Sequence, residues 1–216
     1  MEIIEEKVDG NILPRLHLLK EDTGEYTQYR IRGTEIDGLL VWDRKMYPDE
    51  RGYYQELIKT EEIEKVIGRP LEIKQIGLSY NEPHGVLRGL HAEPMDKIVM
   101  VQSGKVFIAV ADIRPKSPTF KKHVTFTLDQ TDHRKAKIAI VICNGLANSF
   151  LTIGPEEVNY IYAVSKPYTT SEGKRAIKWN DPDLNIAWPI KPTIMSGVDK
   201  ENESLRDLFP EEFSQK

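Results

Sequence analysis

The sequence predicts an all-β fold, a jelly-roll sandwich or barrel with a few short flanking helices, and two observations carry that expectation. From Lys97 to Val164 the chain is a succession of short apolar or alternating runs, each closed by a turn cluster. Short strands at regular spacing with such punctuation are the pattern of jelly-rolls and barrels. Helix-like spacing is confined to two brief stretches. A chain of 216 residues is long enough to bury a full core in one domain, and all-β units of this size are common.

Taken in order, residues 1–33 are rich in charge and weakly patterned, so an N-terminal extension or arm is expected ahead of a domain spanning 34–216. Glu56 to Ile67 has helical spacing and stops at Gly68, a suitable C-terminal residue. Lys97-Ile98-Val99-Met100-Val101 is a hydrophobic run, and Lys105 to Ile113 reads as a buried strand. His123 to Leu128 alternates as a half-exposed strand does, while Ala136 to Cys143 and Val158 to Val164 add two more strands. Turn clusters separate them at Arg114 to Pro118, at Asn144-Gly145 and at Ser171-Glu172-Gly173. A second short helix is expected near Leu205 to Phe209. The absence of repeats, low-complexity blocks and linkers favours one domain.

Composition excludes several classes. A net charge of −4 argues against a general nucleic-acid surface, because phosphate binding wants a basic excess. No apolar stretch approaches the roughly 20 residues of a membrane helix. The N-terminus is acidic rather than a basic-then-apolar signal. The single cysteine, Cys143, cannot form an internal disulfide and reads as a buried core residue. A soluble cytoplasmic protein is the simplest expectation.

The most informative segment is Gly85-Val86-Leu87-Arg88-Gly89-Leu90-His91. Two glycines permit a tight turn or a close backbone approach. Arg88 and His91, three residues apart, fall on opposite faces of a regular strand; a bend at Gly89 can bring both into one cavity. Read alone, the heptapeptide is an ordinary strand entry.

Other motifs change that reading. Asp49-Glu50-Arg51-Gly52-Tyr53-Tyr54, Gly68-Arg69 with Gln75, the heptapeptide itself, Ser117-Pro118-Thr119-Phe120, Ile177 to Pro182, and Ile186 with Trp188-Pro189 occur in this order. Over Thr34 to Asp199 the chain therefore resembles the dTDP-4-dehydrorhamnose 3,5-epimerase family of cupin-fold enzymes. The resemblance implies a cofactor-independent isomerase acting on a 4-keto-6-deoxy sugar carried by a nucleoside diphosphate. Such chemistry requires a base, a donor for the enolate oxygen, and an acid across the ring.

Carried over by position, the resemblance makes His91 the base and Asp199 the carboxylate behind it, Tyr162 the acid on the opposite face, and Lys97 the group that steadies the enolate. It makes Arg88 and Arg51 diphosphate contacts, with Arg51 reaching over from the second subunit of a homodimer. Tyr54, Glu56 and Gln75 fall where the family holds the pyrimidine. Read singly, Tyr162 is a core tyrosine, Asp199 and Lys97 are solvated charges and Arg51 is a turn residue; it is their joint match that gives them roles. Of the remaining histidines, His84 is expected at the pocket rim, and His17, His123 and His133 at the surface.

Two departures bear on substrate. The family's pocket histidine is Asn148 here, within Cys143 to Phe150; an amide donates hydrogen bonds but carries no charge and shuttles no proton. The loop Ala92-Glu93-Pro94-Met95-Asp96 between His91 and Lys97 also differs from the family pattern and lacks its aromatic. Asn148 leaves open a second reading, a catalytically weak nucleotide-sugar-binding protein. A metal-dependent cupin is disfavoured, since it wants two histidines one residue apart and no His-x-His occurs.

Overall fold

The computed structural model describes residues 6–8, 10–18, 30–44, 46–132, 137–168 and 173–214. In chain order its strands are β1 (Glu6–Val8), β2 (Asn11–Leu13), β3 (His17–Leu18), β4 (Arg30–Gly33), β5 (Leu39–Arg44), β6 (Met46–Asp49), β7 (Gly52–Gln55), β8 (Gln75–Asn81), β9 (Leu87–Ala92) and β10 (Lys97–Asp112). Then follow β11 (His123–Gln130), β12 (Lys137–Ile142), β13 (Leu146–Thr152), β14 (Val158–Val164) and β15 (Arg175–Ala176). Helix α1 (Thr60–Ile67) lies before β8, and α2 (Gly197–Lys200) and α3 (Leu205–Leu208) follow β15. None of these helices is long and apolar enough to cross a membrane.

Apart from the β6–β7 hairpin, the strands form two antiparallel sheets packed face to face, the architecture expected from the sequence. One sheet runs β1-β2-β11-β10-β13-β9-β15 and the other β3-β4-β5-β12-β10-β14-β8. Strand β10 belongs to both. Its first part, from Lys97, pairs with β12 and β14, and its second, from Gly104, with β11 and β13. The ladder with β14 slips between Val101 and Ser103, and Gly104 follows at φ +78°, where an added Cβ would lie 2.5 Å from the Glu157 carbonyl oxygen. A strand that switches sheets bends at such a bulge. The hydrophobic runs Lys97–Val101 and Lys105–Ile113, separate in the sequence reading, are thus one strand of 16 residues with a corner in it.

Between the sheets lies a core that includes Leu13, Val41, Val99, Ile108, Phe126, Ile140, Phe150 and Tyr160. Outer faces are covered as well. Helix α1 lays Ile63 over Trp42, Ile98 and Val141, and the C-terminal segment lays Ile177, Leu205 and Phe209 over Leu90, Ala111 and Ala147. That double cover explains why β12 is buried at every position whereas β11 alternates. Asn11–Leu13 extends the edge at β11, with Leu13 fully buried.

Helix α1 begins at Thr60 rather than Glu56, because the β6–β7 hairpin keeps the chain extended to Gln55, which pairs with Met46. Its end is as expected, with Gly68 in the left-handed conformation donating its N–H to the Glu64 carbonyl. Cys143 is half-buried rather than a core residue, since β12 ends before it and the turn at Asn144 opens there. His123 is half-buried, not superficial. His133 and the Ser171-Glu172 part of one turn cluster lie outside the described residues, as does the side chain of His17.

Candidate active site

Each glycine of the Gly85–His91 segment performs a separate task. Gly85, at φ +106°, accepts from the N–H groups of Thr193 and Ile194 at 2.9 and 3.0 Å, and Leu87 N–H donates to the Ile194 carbonyl at 2.9 Å. A Cβ on Gly85 would sit 2.1 Å from Thr193 Oγ1, so no other residue permits this docking. The docked C-terminal segment runs straight into α2, whose cap Ser196 Oγ accepts from Asp199 N–H at 3.0 Å. Gly85 therefore delivers Asp199 to β9.

Gly89 turns Arg88 inward. On β13, Asn148 pairs with His91 and Phe150 with Arg88, so two steps on β13 match three on β9. The extra residue inverts the side-chain parity, and Arg88 joins His91 on the inner face. Gly89 has φ +116°, and a Cβ there would lie 2.6 Å from the Asn148 carbonyl oxygen and 2.8 Å from Ser149 Cα. The bend expected at Gly89 is this bulge.

The result is a cleft of about 720 Å³ between the sheets, lined by β8, β9, the start of β10, β13, β14 and the Ile194–Asp199 segment. Its size suits a small-molecule ligand. His91 Nε2 lies 2.6 Å from Asp199 Oδ1. Burial pushes the Asp199 carboxyl up, but the bonds from His91, Ser196 and the Gly89 N–H outweigh it and hold the group below the ordinary aspartate range. An ionised Asp199 fixes the proton of neutral His91 on Nε2 and leaves Nδ1 with the lone pair that a base needs.

Lys97, buried at the start of β10, donates to Asn148 Oδ1 at 2.6 Å, to the His91 carbonyl at 3.3 Å and to Glu93 Oε2. Tyr162, on β14, faces the same cleft. Burial raises its phenol well above the ordinary value, with Arg88 pulling the other way, so it is protonated at neutral pH. Arg88 Nε donates to Asn81 Oδ1 at 2.7 Å, which holds an exposed guanidinium on the cleft wall. Gln75 lines the cleft from β8, where its Oε1 accepts from Tyr168 N–H at 2.7 Å.

His91, Asp199, Tyr162, Lys97, Arg88, Gln75 and Asn148 thus converge within one chain. Arg51, Tyr54 and Glu56 do not line this cleft. Arg51 and Tyr54 project from the β6–β7 hairpin, a two-stranded sheet of its own; Arg51 is exposed and paired with Asp49 at 2.6 Å, and Tyr54 is 66% exposed. Glu56 is half-buried in the link from the hairpin to α1. His84 is exposed and stands off the cleft, at φ +52° in the turn before Gly85. Among the described residues no three His, Cys, Asp or Glu side chains converge to hold a metal ion.

Among the cleft residues not assigned from the sequence, Glu93, Tyr168 and Lys174 bring hydrogen-bonding or charged groups. Glu93 is two residues after His91, the spacing that shares a strand face, so alternation could have found it. Lys174 enters because β15 pairs Arg175 with Ala92 and Ala176 with His91, a tertiary register with no local signal. Its Nζ donates to the Tyr168 hydroxyl at 3.1 Å.

Comparisons with known proteins bear on the family and the fold. The sequence profile of dTDP-4-dehydrorhamnose 3,5-epimerase matches residues 33–207. The dTDP-4-dehydrorhamnose 3,5-epimerase of Shigella flexneri is 33% identical over 178 residues, covering 81% of this chain and 94% of the relative. Among solved structures, the dTDP-6-deoxy-D-glucose-3,5-epimerase of Legionella pneumophila, in complex with dTDP-4-keto-L-rhamnose, superposes with TM-score 0.76 at 30% identity, covering 85% of this chain and 96% of that one. NovW, a 4-keto-6-deoxy sugar epimerase of Streptomyces spheroides, gives TM-score 0.77 at 26% identity, with 86% and 92% covered. A 3'-monoepimerase of Streptomyces bikiniensis, in complex with dTDP-quinovose, gives 0.72 at 26%, with 82% and 89% covered. With its motifs in order, its two-sheet fold and this cleft, the chain belongs to the dTDP-4-dehydrorhamnose 3,5-epimerase family, a family of nucleotide-sugar isomerases.

Proposed function

We propose that this protein epimerises a nucleoside-diphosphate-linked 4-keto-6-deoxy sugar, without a cofactor, at one or both carbons beside the ketone. The observation that carries the reading is the His91–Asp199 pair, 2.6 Å apart, in a cleft that also holds Lys97 and Tyr162. In this scheme His91 takes the proton from the carbon next to the ketone, and the electron pair moves to the ketone oxygen as an enolate. Asp199 stabilises the imidazolium that forms, and the Lys97 ammonium faces the enolate charge. Tyr162 returns a proton to the other face of the same carbon, and Arg88 steadies its phenolate. The net result is inversion with no change of oxidation state.

Arg88 suits diphosphate oxygens, and Gln75 suits the polar edge of a pyrimidine. The reading extends to a cytoplasmic homodimer in which the partner's hairpin and the link after it supply Arg51, Tyr54 and Glu56 as diphosphate and base contacts, with residues 1–33 as an N-terminal extension whose strands β1–β4 join the sheets of the catalytic domain. Two features support the dimer. Edge strand β8 exposes an apolar row of Ile76, Leu78 and Tyr80, and the hairpin exposes Tyr53 and Tyr54. Exposed edges and apolar rows are sites of association.

Asn148 favours a second reading, a binding protein with little turnover, because it removes a protonatable group from the cleft. Incubation with a 4-keto-6-deoxyglucose nucleotide in heavy water separates the two. The epimerase incorporates deuterium beside the ketone, and His91→Asn abolishes the incorporation while dTDP binding by calorimetry persists. A wild-type protein that binds dTDP but exchanges no proton with any keto-sugar nucleotide is the binding protein instead.

A further inference from the structure

The Glu93–Lys97 ion pair sits in the cleft wall with both partners withdrawn from solvent, at 6% and 5% exposure. Neither the loop composition nor the family pattern accounts for a carboxylate here. An ammonium has three N–H bonds, and those of Lys97 go to Glu93 Oε2, Asn148 Oδ1 and the His91 carbonyl. The Lys97 head group is therefore fixed in direction, with one charged acceptor and two neutral ones.

The charges around Lys97 are unequal. His91 and Arg88 on β9, Lys174 ahead of β15, and Tyr162 on β14 share the cleft with it, and Asn148 faces it from β13. Of the two carboxylates in the cleft, Asp199 is committed to His91, so Glu93 alone balances Lys97. Burial drives the Lys97 ammonium towards its neutral form, and Lys174 adds to that drive; Glu93 opposes both. Removing one partner of a buried pair leaves an uncompensated charge, and here that charge would face other cations.

We propose that Glu93 is a positioning residue for this enzyme: its buried carboxylate keeps Lys97 charged and aimed along the cleft wall, so that the substrate meets a preset cation. Glu93 acts through Lys97 and not by touching the sugar. The claim rests on the epimerase reading above, and it gives the altered loop a function. Where the family has a histidine beside this lysine, the chain has a neutral acceptor, Asn148, and a carboxylate that keeps the lysine itself protonated.

The test is Glu93→Gln, read in two ways. In ligand-free protein with 13C-labelled lysine, the Lys97 Cε resonance should titrate at least about one pH unit lower in the variant, a tenfold change in protonation. In the deuterium-exchange assay, the alkaline limb of the pH–rate profile should move down by the same amount, with the rate well below that limb retained. Glu93→Asp, one methylene shorter, should move both readings in the same direction by less. If Glu93→Gln does not fold, Glu93→Asp is read alone. An unmoved Lys97 titration and alkaline limb overturns the proposal, as does a loss of rate equal at every pH. A shifted titration in a protein that exchanges no proton with any keto-sugar nucleotide overturns the epimerase reading, and with it Glu93's part in a reaction, while the ion pair's control of Lys97 stands.

Discussion

Replacing Asp199 by asparagine removes one charge from a buried contact and leaves the shape of the site nearly intact. The carboxylate is 5% exposed, 2.6 Å from His91 Nε2, and anchored by Ser196 and the Gly89 N–H. When His91 accepts a proton, the ion pair so formed is worth about 4 kcal/mol at about 4 Å between charge centres and an effective dielectric of about 20. Losing that stabilisation in the transition state corresponds to about a 10³-fold fall in exchange rate. An asparagine amide that donated to Nε2 would also move the imidazole proton to Nδ1, the wrong tautomer. In a His–Asp pair of another enzyme that change alone costs on the order of 10⁴. The expected loss is therefore about 10³-fold or more in deuterium wash-in, with dTDP affinity unchanged, because Asp199 touches His91 and not the diphosphate arginine. A variant that retains wash-in within about tenfold of wild type, or that loses dTDP binding in parallel, would refute the pair as the proton-abstracting unit.

Asn148→His should raise exchange on a 4-keto-6-deoxyglucose nucleotide, by up to about 10²–10³-fold if it restores a full oxyanion donor; a fall on that substrate, measured in the same wash-in assay, would make Asn148 a determinant for a different sugar. Asp112→Asn tests stability apart from chemistry. Burial pushes the Asp112 carboxyl up, but bonds from Arg114, Ser117 and Thr119 bring it down from 3.8 to about 2, a stabilisation of about 2–3 kcal/mol near neutral pH. A folded-state value below the unfolded one gives stability that is present above about pH 4 and lost as pH falls towards about 2, so in urea melts the gap between wild type and Asp112→Asn should close over that window; a gap independent of pH would contradict the assignment.

The Asp112 contacts also show what the Ser117–Phe120 motif is for. Ser117 Oγ and Thr119 Oγ1 each donate to Asp112 Oδ2 at 2.6 Å. The motif fastens the turn after β10, and its appearance in the sequence is a statement about folding and not about substrate.

Much of the fold was legible because it is written locally. Side-chain alternation has a period of two, and burial on one face or both imprints it directly: β11 alternates and β12 is apolar throughout. The stop of α1 at Gly68 and the short helix at Leu205–Leu208 were likewise local, one set by a left-handed glycine and the other by its Ser204–Asp207 capping box. The motif residues around His91 were legible only through resemblance, since nothing local distinguishes a lysine at a strand start from a surface charge.

What the sequence by itself determined is the strands read over Lys105–Ile113, His123–Leu128, Ala136–Cys143 and Val158–Val164, the turns that punctuate them, and that glycines stand at positions 85 and 89. Tertiary structure decided the rest, because each remaining fact depends on register between segments distant in the chain. The slip opposite Asn148 and Phe150 turns Arg88 to the side of His91. The docking of Ile194 on Gly85 and Leu87 carries Asp199 across 108 residues of chain to within 2.6 Å of His91. The pairing of β15 with β9 sets Lys174 beside the Glu93–Lys97 pair. None of these has a sequence period, since the free energy that selects a register comes from the apolar faces and backbone bonds of both partners at once.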